Sequence, residues 1–213
     1  MTPAELVVNI KSLALVGATG SANDTPRIYN YLNMAYRIAY EKMTAVYPWT
    51  VQTTQNVVMT SGSGTMSTQP LHILKVADTE NSYAKLDPTD IDTVEEGDAD
   101  ISATGNPNKF WVEGFTTLKS HPLNDTTLRV RYTPNPATLA SDSVEADIKL
   151  PPIFHDVLTW ETLKVMSYDE RDKIVGAELA FDKEQYEDSY DRLYRYLDAK
   201  APQEKRQVKS YLG

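Results

Sequence analysis

The hydrophobic period of this chain changes twice, and the two changes limit what it can fold into. Residues 25–48, TPRIYNYLNMAYRIAYEKMTAVYP, read as a helix in which Thr25 caps, Pro26 opens the first turn and Pro48 closes the run after Tyr47. Ile28, Leu32, Ala35, Ala39, Met43 and Val46 make one stripe, and Tyr29, Tyr36, Tyr40 and Tyr47 make a second beside it. Only Asn30, Asn33, Arg37, Glu41 and Thr44 form a polar strip, with Arg37 and Glu41 spaced for an ion pair along the helix. A helix with this much apolar circumference is covered on most sides, either by its own domain or by a neighbouring subunit. Tyrosine stripes serve both uses.

From Trp49 the period shortens to two. WTVQTTQNVVMT alternates, LHILKV is a short apolar run, and LRVRY places Leu128, Val130 and Tyr132 on one face. Between them SGSGTMSTQP reads as a flexible loop, and DPTDIDTVEEG as a short acidic helix with Asp87 as cap, Pro88 in the first turn and Gly97 as stop. The prolines of TPNP, 133–136, end the strands. Helical spacing returns in LPPIFHDVLTWETLKVMSY, where Phe154, Val157, Leu158, Glu161 and Val165 share a face, and again through Leu179, Tyr186, Tyr190, Leu193 and Leu197. On the outer face of that last helix Asp188 precedes Arg192, and Asp191 precedes Arg195, by four residues. An opening helix follows from Thr2-Pro3-Ala4-Glu5 with Leu6, Ile10 and Leu13.

The expected fold is therefore α+β: a helical bundle domain of about four main helices with an inserted β-rich, small sandwich-like region. The helical part takes 1–48 with 135–202, the insertion takes 49–134, and 203–213 form a carboxy-terminal arm.

Chemistry leaves few traces. LALVGATGSAND, 13–24, begins like a dinucleotide-binding loop, but Asn23 stands where a third glycine belongs and the residues before it have helical spacing. With no cysteine, disulfides, thiolate metal sites and a cysteine nucleophile are excluded. His72, His121 and His155 are far apart, and His155-Asp156 are neighbours on a helix and do not face one another. After Asp90 and Asp92 the next alternate position is Val94, which breaks a calcium-loop pattern, and Gly62-Ser63-Gly64 lacks the elbow of serine hydrolases. No enzyme, cofactor or metal is expected. Glu5 and Lys11 make the start a poor signal peptide, and no run reaches the roughly eighteen apolar residues of a membrane span, so no membrane partner is expected.

Charge is unevenly placed. The net charge is −9, and 78–100 hold nine acids, among them Asp90, Asp92, Glu95, Glu96 and Asp98, against Lys85 alone. The final residues KAPQEKRQVKSYLG form a short basic arm. General nucleic-acid affinity, which needs a clustered basic face, is not expected of this balance.

Several of these pieces, in this order, resemble the head-to-tail adaptor (connector, or neck) proteins of tailed bacteriophages. The matching features are the helix with Arg37 ending at Trp49, then Gly105, Pro107 and Phe110, His121-Pro122, Leu128 through Tyr132, and Leu150-Pro151 with Phe154-His155. The resemblance implies a structural virion protein, made in the host cytoplasm and located in the neck. It would form a homo-oligomeric ring, expected as a dodecamer, seated beneath the portal protein. Such a ring continues the DNA channel, through which DNA passes without specific binding, and gives the tail or further neck proteins an attachment platform.

On that reading Lys205, Arg206, Val208, Lys209, Tyr211 and Leu212 form a portal-docking arm that orders on its partner. Tyr29, Tyr36, Arg37, Tyr40 and Glu41, with Asp188, Asp191, Arg192 and Arg195, are the candidate subunit interface. Asp90, Asp92, Glu95, Glu96 and Asp98 are candidates to face the channel, where carboxylates repel phosphate over a Debye length of about 8 Å; a solvated acidic face is the other use of the same residues. The alternatives are another neck or tail-completion ring, or a monomeric β-containing carbohydrate-binding module using Trp111, Tyr83 or Tyr132.

Overall fold

A computed structural model describes residues 1–14, 24–168 and 181–201. The chain divides into two compact units, Met1–Tyr47 with Pro136–Gly213, and Pro48–Asn135. Gly17 and Gly20, Leu179 and the arm 203–213 lie outside the described residues.

In the first unit the described helices are α1 (Pro3–Leu13), α2 (Asp24–Val46), α4 (Asp156–Tyr168) and α5 (Lys183–Lys200). α1 starts on a capping box: Thr2 Oγ1 accepts from the Glu5 amide at 3.2 Å while the Glu5 carboxylate accepts from the Thr2 amide at 2.8 Å. α2 stops at Val46, before Pro48, as the proline requires. A short 3-10 turn, Pro152–Phe154, leads into α4, and Asp182 caps α5 by accepting from the amides of Glu184 and Gln185. α4 packs against the other three helices through Val157, Leu158, Leu163 and Met166, all buried. The irregular stretch after Pro136 is held to α2 by side chains of the helix. Asn33 accepts from the Leu139 amide at 2.7 Å and donates to its carbonyl at 2.9 Å, and Tyr36 Oη accepts from the Lys149 amide at 3.0 Å.

The second unit is built from β1 (Thr53–Val58), β2 (Ser63–Thr65), β3 (Pro70–Asp78), β4 (Ala84–Pro88), the single-turn α3 (Ile91–Glu95), β5 (Lys109–Glu113), β6 (Thr117–His121) and β7 (Thr127–Pro134). They form one mixed sheet of seven strands in the order β1-β7-β3-β4-β5-β6-β2. β4 makes it continuous. Its first half pairs antiparallel with β3, Leu86 opposite Val76, and its second half pairs parallel with β5, Asp87 opposite Lys109 and Pro88 opposite Phe110. At the far ends β1 and β2 approach one another, with Thr60 bridging Ser63, so the sheet nearly closes into a barrel. Val57, Val76, Leu86, Phe110, Leu118, Leu128, Val130 and Tyr132 fill one core, every strand except β2 supplying at least one, and Met59 and Met66 flank β2 to complete it.

This corrects the expected architecture. The chain is organised by a seven-stranded, mixed, nearly closed sheet accompanied by a few helices, and is not a helical bundle with a small sandwich-like insertion. Alternation shows which face of a strand is buried but not which strand lies beside it, and a hydrogen-bonded ladder running through β4 is what separates a near-barrel from two stacked sheets. Two local readings change with it. Part of SGSGTMSTQP is strand β2, and Asp87 and Pro88 belong to β4, so that the acidic helix starts later, on Asp90, whose carboxylate accepts from the Thr93 amide at 2.8 Å.

Gly64 sits where the sheet closes: a Cβ there would lie 2.6 Å from Val57 Cγ1 and 2.7 Å from the Val58 carbonyl oxygen. Because a backbone oxygen cannot move aside like a side-chain tip, Gly64→Ala is expected to cost about 1–3 kcal/mol. A lowered urea midpoint with unchanged slope would record it; an unchanged midpoint would show that β1 and β2 separate freely.

Candidate functional site

Among the described residues of the helical unit, the densest polar assembly is internal. Glu161 of α4 lies on the apolar face that its spacing requires and is 2% exposed. Lys42 of α2 donates to its Oε2 at 2.8 Å, Tyr186 Oη of α5 donates to the same oxygen at 3.1 Å, and Tyr190 Oη donates as well. Tyr186 Oη in turn accepts from Lys42 at 2.8 Å and from Lys164 at 3.0 Å. The Lys42 ammonium also lies 4.6 Å from the centre of the Tyr190 ring. Burial works against the charge on Lys42, but its hydrogen bonds to Glu161 and Tyr186 outweigh it and raise its pKa. Burial, followed by the Glu161 charge, pushes Tyr190 well above the usual phenol range. These groups satisfy one another and bind three helices together.

The candidate interface residues divide. Tyr36 and Tyr40 are fully buried in their own unit, which corrects their assignment to a subunit contact: no surface remains for a partner. Tyr29 is half-buried, while Arg37 and Glu41 are exposed and make no ion pair with each other. On α5, Asp188, Asp191, Arg192 and Arg195 are all exposed. Arg192 donates to Asp188 at 2.9 Å, as the spacing predicts, but also reaches Asp156 of α4 at 2.6 Å, and Arg195 pairs with Asp191. Part of this charged face therefore braces α5 against α4. The arm residues Lys205, Arg206, Val208, Lys209, Tyr211 and Leu212 lie outside the described residues.

The acidic stretch is not uniform. Asp78 is buried and accepts from Thr126 Oγ1 at 2.7 Å. Asp90 is spent as the α3 cap. Asp98 accepts from the Ala103 amide at 2.7 Å and meets His121 Nε2 at 3.0 Å, and these contacts, the amide first, lower its pKa. Asp92, Glu95 and Glu96 remain exposed, without an ion pair among the described residues. No cluster of metal-ligating side chains is present among the described residues. His155 and Asp156 point to different partners: His155 is buried between the carbonyls of Met1 and Leu150, at 3.0 and 3.1 Å.

The aromatics of the carbohydrate alternative do not share a surface. Tyr132 is buried in the sheet's core and Trp111 is half-buried, leaving Tyr83 exposed. Tyr83 instead lines a cleft of about 330 Å³ with Lys75, Ala77, Arg129 and Arg131. This cationic cleft was not recognised from the sequence, although LRVRY carries its signal: the alternation that turns Leu128, Val130 and Tyr132 inward turns Arg129 and Arg131 outward.

The buried tyrosines set a pH limit. Tyr36 is pushed up to about 12 by burial, and Tyr40, Tyr47, Tyr190 and Tyr194 are raised as well, burial being the first cause in each. The native state then holds protons that the unfolded chain releases from about pH 10, so stability should fall as pH rises above that value. The raised Lys42 pKa acts in the same direction. Urea midpoints across this range should decline, less steeply in Tyr190→Phe. At neutral pH, Lys42→Met is expected to cost about 2 kcal/mol, below the usual range for a broken buried pair because Lys42 is partly in water, with Glu161→Gln added to it recovering part.

No curated protein matches the chain. A sequence model described as SU10 adaptor protein matches residues 1–208, nearly the whole chain. With an opening helix, a long tyrosine-lined helix, a β unit spanning 48–135 and returning helices all inside that match, the chain belongs to the SU10 adaptor protein family, a family of phage head-to-tail adaptors.

Proposed function

We propose that this protein is a structural component of the virion neck: identical subunits form a ring beneath the portal, continue the DNA channel and give the tail its attachment platform. The observation that carries this reading is the family match through residues 1–208. The geometry supports it in two ways. The densest polar assembly described in the helical unit, around Glu161, is used in bracing α2, α4 and α5, as suits a scaffold better than a catalyst. The surfaces left over are charged faces suited to other protein chains. Catalysis has no part in this reading, and DNA passes without sequence-specific contact.

The arm 203–213 is the proposed portal contact. It carries Lys205, Arg206 and Lys209 for charge and Val208, Tyr211 and Leu212 for a groove, a composition too polar to pack alone and suited to ordering on a partner.

Mass photometry of the purified protein, alone and mixed with particles that lack it, tests the reading. Rings, or many copies incorporated at one vertex, are expected; a strict monomer that never joins particles would end it. Removal of 203–213 should leave thermal unfolding unchanged and abolish incorporation, and normal incorporation of the shortened chain would move the portal contact elsewhere.

A further inference from the structure

Lys75, Arg129 and Arg131 meet on the outer face of the sheet with no carboxylate paired to any of them among the described residues. The register places Lys75 directly opposite Arg131, and Arg129 opposite Ala77. Like charges facing one another across strands are unfavourable, so the arrangement costs stability unless an anion covers it. Elsewhere in the same unit Lys85 has Asp87 and Lys119 has Glu113.

Tyr83 completes the cleft from a strained position. The Ala84 amide closes a turn on the Asn81 carbonyl at 2.8 Å, and the two central residues, Ser82 and Tyr83, have φ of 51° and 58°. Such turns favour Asn-Gly. A tyrosine held there, half in water and with the Arg129 guanidinium 5.9 Å from its ring, marks a place where the side chain outweighs the strain.

A matching anionic surface exists on the same unit. In α3 and the Glu96 that caps its end, Asp92, Glu95 and Glu96 share one side at spacings of three and four, with Val94 buried opposite. Among the described residues, three carboxylates without an ion pair thus complement three cations without one, and the two groups do not engage each other. We propose that the Asp92, Glu95 and Glu96 turn of one copy docks in the Lys75, Arg129, Arg131 and Tyr83 cleft of a second copy. The contact rests on the ring reading and supplies its subunit joint. It uses two different surfaces, so it is heterologous and propagates from copy to copy until a ring closes. It gives these carboxylates a protein partner in place of the channel lumen. Nucleic acid fits less well, because the carboxylates of 78–100 on the same unit repel phosphate.

The absence of cysteine makes the test clean. Arg131→Cys and Glu95→Cys, each alone in one chain, are mixed and treated with a short bismaleimide, in solution and in assembled particles. A 131-to-95 cross-link between copies is expected, and its absence from assembled necks overturns the contact. In parallel, Arg129→Glu with Arg131→Glu, and Asp92→Lys with Glu95→Lys, should each weaken self-association at least about tenfold. The chain carrying all four changes should recover it. Circular dichroism checks the fold, and Tyr83→Gly, which relieves the strained turn, should weaken association while keeping stability. Reversal variants that assemble like the unaltered chain would overturn this contact and leave the ring reading standing, whereas an unaltered chain that never assembles would end both. Capture of a short DNA duplex that is lost with the Arg129 and Arg131 reversals would give the cleft to phosphate and also overturn the proposal.

Discussion

The helical unit depends on one buried carboxylate. Glu161 lies in the middle of α4, the helix that packs against α1, α2 and α5, and its charge is tolerable there only because Lys42 and two tyrosines reach it from both sides. A buried ion pair is seldom worth more than the apolar contact it replaces, but leaving one member unpaired is costly. Its effect is therefore on register: α2 must present Lys42, and α5 must present Tyr186 and Tyr190, at the height of Glu161. The aromatic series Tyr186, Tyr190 and Tyr194, with ring centres 5.1 and 5.8 Å apart, lies along the same seam. The surface ion pairs of α5 are exposed and contribute little by comparison.

The β unit solves the corresponding problem without charge. Its strands bury one face in a single core, and register is set by two features with no room for variation. β4 changes partner midway, from β3 to β5, and Gly64 lets the outermost strands approach without a side chain between them. A sheet closed in this way leaves fewer open edges to pair with foreign strands.

The functional surfaces are what these two frameworks leave over. Membership of the adaptor family places the chain among proteins that join a phage head to its tail, and the β unit carries a group of cations on β3 and β7 and a group of carboxylates at α3. Several of the acids that make 78–100 conspicuous are used locally. Asp78 and Asp98 hold loops and Asp90 caps a turn, so the outward-facing remainder is smaller than the composition implies.

Read from the residues alone, the helices around Leu6, Ile28, Val157 and Leu193, the ends imposed by Pro48 and the prolines of TPNP, and the inward faces of LRVRY were legible, because period and terminators are local properties of the chain. The order of motifs was enough to indicate the family. Glu161 could be placed on an apolar face, but its partners could not be named, since Lys42 lies more than a hundred residues before it and Tyr190 on a different helix. Tyr36 and Tyr40 looked like possible contact residues because a tyrosine stripe reads the same in a core as on an interface. Asp87 and Pro88 looked like a helix start because Asp-Pro opens helices in general, until a parallel pairing with Lys109 and Phe110 claimed them for a strand. The sequence by itself determined which residues turn inward and where elements stop. Only the tertiary structure decided which strands are neighbours, that the sheet nearly closes, and that Lys75 stands beside Arg131, because pairing joins residues that no local period connects.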